Sequence, residues 1–428
     1  MKVVGLITEY NPFHNGHKYH IEEAKRVTGA DYVIIVMSGN FVQRGTPAVI
    51  DKYSRTEMAL NNGVDLVLEL PVCYATASAE YFAHGAVSLL DRLGVVDYLC
   101  FGSECGDITL LDEAAGFLLD TPTSFNTHLQ AFLRDGMTYP AARGLALQHY
   151  LEAQHPNHSS ALINVLTEPN NILGIEYMKA LRRLSSRITP ITIQRISAHY
   201  HDSDLNIEES NSFTISSATA IRRAIFSSGL EADSYFEEIR HSVPDDVFHI
   251  LKKHHQIKYP ISEEDFSQAI KYKLLYESRQ SLCEYLDISE DLADRLKKHS
   301  NLHKTMTELA QDIKTKNLTL TRINRAVIHM LLNIKTEAIE EYNQKGYTQY
   351  ARVLGVKKDS SHLLRKIEQN ESIPIITKVS KAELQLSPIA FRMLQEDILA
   401  AHLYNHGVYE KYGTSIPNEY KHGIILHS

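Results

Sequence analysis

The first hundred residues alternate between short apolar runs and amphipathic segments, a pattern that leaves few folds open. Apolar runs at 2–8, 31–37, 64–70 and 96–101 predict strands, and the segments between them predict helices near 17–28, 51–62 and 78–93. Runs this continuously apolar belong to strands covered on both faces. Strand–helix–strand alternation implies a parallel sheet with right-handed crossovers, and ligands bind beyond the carboxyl ends of such strands. Chemistry is therefore expected in the residues that follow each strand.

The first of those segments is the most informative: Gly5-Leu6-Ile7-Thr8-Glu9-Tyr10-Asn11-Pro12-Phe13-His14-Asn15-Gly16-His17. It runs from a strand directly into a helix on which Tyr19, Ile21, Ala24 and Val27 recur at helical spacing. Gly16 permits close approach of backbone to a ligand, and the open amides of the helix start favour an anion. His14 and His17 add two donors, neutral or cationic, on what is expected to be an exposed turn. A nucleoside triphosphate suits this geometry. After the second strand comes a polar loop, Met37-Ser38-Gly39-Asn40-Phe41-Val42-Gln43-Arg44-Gly45, and after the fourth comes Phe101-Gly102-Ser103-Glu104. Gly102 fits either a plain turn or a surface against which adenine or ribose rests.

His14-Asn15-Gly16-His17 resembles the His-x-Gly-His signature of the nucleotidyltransferase superfamily, which implies that both imidazoles act on the phosphates of ATP. Far downstream, Ile215-Ser216-Ser217-Ala218-Thr219-Ala220-Ile221-Arg222-Arg223 opens another helix. Its hydroxyls cap the helix and donate to phosphate, and the guanidinium of Arg222 offers a planar fork. It is similar to the Ile-Ser-Ser-Thr-x-x-Arg motif of the same superfamily, except that Ala218 inserts one residue before Thr219.

The remaining chain is read more coarsely. Residues 105–165 are helical in pattern. Pro169 and Asn170 then start an amphipathic helix carrying Ile172, Ile175, Met178 and Leu181, and a strand is expected over 188–196, including Arg195. A Rossmann-like domain over 1–230, with a helical insertion at about 105–165, is thus expected before a mainly α-helical domain over 235–428. Two domains suit a chain of 428 residues. Lys345 to Val356 mixes aromatic, basic and glycine residues; it fits a packing element between domains or a surface for stacking bases.

Composition excludes several classes. Four cysteines, Cys73, Cys100, Cys105 and Cys283, have neither redox nor metal-ligand spacing and are expected as reduced thiols. No apolar stretch reaches membrane-spanning length and no leader pattern follows Met1, so a cytoplasmic protein is expected. A formal net charge of −8 disfavours a general nucleic-acid binder. Local basic faces remain: Arg182, Arg183 and Arg187, and Lys304, Lys314, Lys316, Arg322 and Arg325, each of which also fits a solvated helix surface.

Over its length the chain resembles the bacterial tRNA(Met) cytidine acetate ligases, through Gly5–His17, Met37–Gly45, Pro169-Asn170-Asn171-Ile172-Leu173 and Ile215–Arg222. The resemblance implies activation of acetate by ATP to acetyl-adenylate, then transfer of acetyl to the exocyclic amine of the wobble cytidine of elongator tRNA(Met), giving N4-acetylcytidine. It places ATP on Ile7, Thr8, Glu9, Tyr10, Asn11, Pro12, Phe13, His14, Asn15, Gly16, His17, Lys18, Tyr19 and His20, with further contacts at Gly102, Asn170 and Arg195. His14 and His17 are the expected catalytic pair, and Ser216, Ser217 and Arg222 the expected holders of the β- and γ-phosphates. Arg182, Arg183, Arg187, Lys314, Lys316 and Arg322 are the expected tRNA contacts. Magnesium is expected with the nucleotide, although no carboxylate cluster in the sequence marks metal ligands. No protein partner is implied. Two alternatives use the same motifs: an adenylyltransferase acting on a phosphorylated small molecule, and a non-catalytic RNA-binding protein with a nucleotidyltransferase fold.

Overall fold

The computed structural model describes residues 1–119, 123–137, 139–154, 165–166, 168–195, 216–227 and 232–428. The expected strands are present as β1 (Val3–Thr8), β2 (Tyr32–Ser38), β5 (Leu66–Leu70), β6 (Tyr98–Ser103) and β7 (Thr189–Gln194). The loop after β2 folds back as a small antiparallel hairpin of β3 (Phe41–Val42) and β4 (Thr46–Pro47). Gly45 closes it at φ 71°, and a Cβ there would stand 2.2 Å from the backbone nitrogen of Arg325, so only glycine fits.

Three further strands come from the end of the chain: β8 (Ala351–Lys357), β9 (Ile375–Ile376) and β10 (Ile425–His427). The main sheet runs β10-β8-β5-β2-β1-β6-β7, with β9 beside β8. All its pairings are parallel except β5 with β8. The region after 235 is mainly helical as expected, yet it also supplies one edge of the sheet. Lys345–Val356 is accordingly a packing element rather than a stacking surface: Tyr350 is fully buried and Ala351–Val356 lie in β8, which pairs with β5. Composition hid this, because Tyr350 and Arg352 find their partners only inside the fold.

Alternate residues of the central strands feed two cores. Val3, Ile34, Val36, Leu66 and Leu68 face one layer, which includes the 79–92 and 169–183 helices. Val4, Leu6, Val33, Ile35 and Val67 face the other, against the helices at 15–28, 52–61, 218–227 and 245–254. The sheet is thus covered on both sides, as its apolar runs require. No helix of the described residues is long and apolar enough to cross a membrane.

The antiparallel joint between β5 and β8 is closed by buried charges. Lys52 Nζ lies 2.7 Å from Glu69 Oε1 and 2.9 Å from Glu419 Oε2, while Arg352 pairs with both carboxylates. Burial would raise the Glu419 carboxyl, but Lys52 and Arg352 outweigh it and hold it at about 2. Two cations and two anions balance, and removing one leaves a buried charge unpaired. Glu69→Ala should therefore destabilise the protein by about 3–5 kcal/mol, read as a lower midpoint in urea unfolding; an unchanged midpoint would rule out this role.

Candidate active site

The strand-to-helix turn is organised by its histidines. His14 is the N-cap of the 15–28 helix: its Nδ1 accepts the Gly16 N–H at 3.1 Å, and its own backbone N–H donates to His17 Nδ1 at 3.3 Å. This reciprocal cap satisfies two of the amides that a helix start leaves open. It also fixes the tautomers. Because each Nδ1 accepts, each neutral ring carries its proton on Nε2 and presents that nitrogen as a donor.

The two rings stack with centroids 3.6 Å apart, and Tyr10 and Phe13 pack against His17. The expectation of an exposed turn fails here: His14 is only 6% exposed. Burial, then Arg195 and Arg222, push the His14 imidazole down to about 3, and burial and neighbouring cations also lower His17 and His20, the latter to about 4. The pair is therefore neutral at pH 7, which resolves the choice between neutral and cationic donors. His20, one turn further along, stands 3.9 Å from Cys100 Sγ, and Lys18 and Tyr19 are half-buried on the same helix.

The second motif reaches the same turn. Its helix is Ala218–Ser227, and Ile215 lies outside the described residues, as does Ile196 at the end of the expected last strand. Arg222 Nη1 donates to the Asn11 carbonyl at 2.7 Å, and its Nη2 lies 3.2 Å from Thr219 Oγ1. The inserted Ala218 thus leaves Thr219 orienting the arginine. Ser217 Oγ caps the helix by accepting the Ala220 N–H. Ser216 is buried, its hydroxyl 2.9 Å from that of Ser242. Ser242 and His241 in turn hold Asn15: the Ser242 carbonyl accepts its backbone N–H, and the His241 carbonyl accepts its side-chain amide.

A third group gathers at the ends of β6 and β7. Arg195 follows β7, donates to Asn170 Oδ1 at 3.3 Å and lies against Gly102, where a Cβ would meet its Cγ at 3.2 Å. Glu104 accepts from Asn170 Nδ2 at 2.6 Å and from the Asn171 N–H at 2.8 Å. Gly102, Asn170 and Arg195 are thus neighbours, held by Glu104, whose role sequence reasoning missed although its loop was singled out. Arg55 was missed altogether. It is fully buried, and it donates to the carbonyls of Glu9 at 2.7 Å, Ser38 at 3.0 Å, Ile50 at 3.1 Å and Gly39.

Glu9 Oε1 accepts the Gln43 N–H, so Glu9 and Glu104 both hold neighbouring segments in place. Of the expected tRNA residues, Arg182 and Arg183 are exposed but paired with Asp112 and Glu80. Arg187, Lys314, Lys316 and Arg322 are exposed.

A model of the HIGH Nucleotidyl Transferase family matches residues 1–416. Among curated proteins, the tRNA(Met) cytidine acetate ligase of Acetivibrio thermocellus is 40% identical over 405 residues, 94% of each chain. The chain belongs to this family. The ligase of the same name from Halothermothrix orenii is 40% identical over 412 residues, covering 95% of this chain and 94% of that one. Two crystal structures of Thermotoga maritima TmcAL, 32% identical, superpose over the whole of both chains. The apo form gives a TM-score of 0.91, and the form bound with alpha-thio ATP gives 0.88.

The depressed histidines have a measurable sign. An unfolded histidine takes up a proton below about pH 6.5, whereas native His14 and His20 refuse theirs until about 3 and about 4. Stability contributed by each is present above pH 6.5 and is lost as pH falls from there, by up to about 1.4 kcal/mol per pH unit. A His14→Gln, His20→Gln double variant should show a shallower loss of urea stability between pH 6.5 and 4. A slope equal to wild type would mean that these histidines are not held neutral.

Proposed function

We propose that the chain activates acetate with ATP and acetylates the exocyclic amine of the wobble cytidine of elongator tRNA(Met), in the cytoplasm. Family membership makes it an ATP-dependent tRNA-modifying ligase; acetate and the steps below are our reading. What carries it is the stacked, neutral His14–His17 pair at a helix N-terminus, with Arg195 and Arg222 acting on the same imidazole. Three donors for a triphosphate, His14, His17 and Arg222, meet there, with Arg195 beside them. No protein nucleophile is required, because acetate is already ionised at pH 7.

An acetate oxygen attacks the α-phosphorus, the bond to the β-phosphate bridging oxygen breaks, and pyrophosphate leaves. The Nε2–H groups of His14 and His17 are assigned to the charge developing on the α-phosphate and the leaving oxygens. Arg222, Ser216 and Ser217 are assigned to the β- and γ-phosphates, and Gly102, Asn170 and Arg195 to the nucleoside end. The cytidine amine then attacks the acetyl carbonyl, the acyl carbon–oxygen bond to the phosphate breaks so that AMP leaves with its electrons, and the amine releases one proton to solvent. Magnesium is proposed to arrive on the triphosphate. Residues 1–230 are proposed to house this chemistry, and the helical region after 235, with Arg182, Arg183 and Arg187, to supply much of the tRNA surface.

Incubation with labelled acetate, ATP and tRNA should yield acetylated tRNA(Met), whereas acetyl-coenzyme A in place of acetate and ATP should not. Labelling from acetyl-coenzyme A alone would overturn the acyl-donor assignment. His14→Ala and His17→Ala should each slow acetate-dependent pyrophosphate release by about a hundredfold or more; a folded double variant with wild-type release would remove the pair from the mechanism. Charge reversal of Arg182, Arg183 and Arg187, or of Lys314, Lys316 and Arg322, should weaken tRNA binding and flatten its salt dependence while leaving ATP–pyrophosphate exchange unchanged. Normal tRNA binding by both would relocate the RNA surface.

A further inference from the structure

Away from the nucleotide site, a helix end, a turn and a second helix bring three ligating side chains together. His299 closes the 290–299 helix, His303 follows four residues later in the connecting turn, and Asp312 sits near the end of the 306–313 helix. His299 Nδ1 lies 2.5 Å from Asp312 Oδ2, and His303 Nε2 lies 3.0 Å from the same oxygen. All three ligand atoms fall within 4.8 Å of one another. The two rings are nearly parallel, at 8°, with centroids 6.2 Å apart.

We propose that His299, His303 and Asp312 form a binding site for a divalent transition-metal ion such as zinc, which staples the 290–299 helix to the 306–313 helix. One imidazole on a carboxylate is an ordinary surface pair. Two imidazoles, one through Nδ1 and one through Nε2, converging on a single carboxylate oxygen is the arrangement a cation between them would also select. A tetrahedral zinc ion with bonds of about 2.0–2.1 Å holds its ligands about 3.4 Å apart. The Asp312 carboxylate, 44% exposed, reaches that spacing by swinging outward about 1 Å. Two nitrogens and one oxygen suit zinc, cobalt or nickel better than magnesium, and water completes the shell. The site is therefore chemically separate from any magnesium carried by the nucleotide.

The anchoring residues make such a staple rigid. Thr305 and Glu308 form a capping box that starts the 306–313 helix immediately after His303, and the Leu302 N–H donates to the His299 carbonyl across the turn. The ion would fix the turn 300–305 between two already capped ends. Lys314 and Lys316 follow the 306–313 helix directly.

The test is a cobalt titration of the full-length chelator-treated protein without nucleotide, followed by the visible d–d absorption of bound cobalt and by calorimetric stoichiometry. One ion per chain is expected, displaced by zinc, with a zinc-dependent rise in melting temperature. His299→Ala, His303→Ala and the near-isosteric Asp312→Asn should each weaken binding at least about tenfold, and the triple variant should lose both the absorption and the melting shift. Far-UV circular dichroism checks that the variants are folded. Absence of saturable binding, or binding by the triple variant equal to wild type through other histidines, would overturn the site.

Discussion

One buried guanidinium ties the working end of the sheet together. Arg55 sits on a helix behind the carboxyl ends of β1 and β2, where backbone carbonyls have run out of strand partners. Its N–H groups take up the carbonyls of Glu9, Ser38, Gly39 and Ile50. Each of those groups, left unsatisfied in a dry site, would cost about 1–3 kcal/mol. The turn that carries Tyr10 to His17 departs from the first of these anchors, and the β3–β4 hairpin departs from the second and third. Arginine suits the position because its fork spans several carbonyls at once and stays charged when buried.

The turn built on that anchor has an electrostatic character set by what surrounds it. Two imidazoles 3.6 Å apart, His14 buried and His17 half-buried, with Arg195 beside both and Arg222 beside His14, are stable together only as neutral rings. Their Nδ1 atoms are spent on capping the helix, so Nε2–H is what each ring offers a ligand. Positive potential comes from the arginines and the helix end, while the histidines add directional donors without adding to the mutual repulsion of these charges. An incoming triphosphate would reverse the argument, because an anion beside a buried imidazole favours its protonated form.

The parts legible in the sequence were those with local signatures. The strands of 1–103 and the helices between them follow from apolar period, and the strand-to-helix turn follows from Gly16 and the flanking pattern. The meeting of Gly102, Asn170 and Arg195 came from resemblance, and it is now explained by Glu104 bridging the segments. What stayed hidden depends on distant pairing. Arg55 lies in a helix whose charged residues look solvent-facing until Glu9 and Gly39 are brought beside it. β8 was obscured because Arg352 finds Glu69 and Glu419 only in the folded sheet. The burial of His14 likewise could not be read from the turn, since the Arg222 helix that reaches the neighbouring Asn11 carbonyl comes from 211 residues away.

The most direct test of this account is Arg55→Lys, studied by acetate-dependent ATP–pyrophosphate exchange. A lysine keeps the charge but cannot span four carbonyls, so the strand ends and the His14–His17 turn should lose their alignment while the sheet survives. The account predicts a folded variant whose exchange falls at least about tenfold in kcat, with the KM for ATP changed far less. A folded Arg55→Lys protein exchanging at the wild-type rate would contradict it.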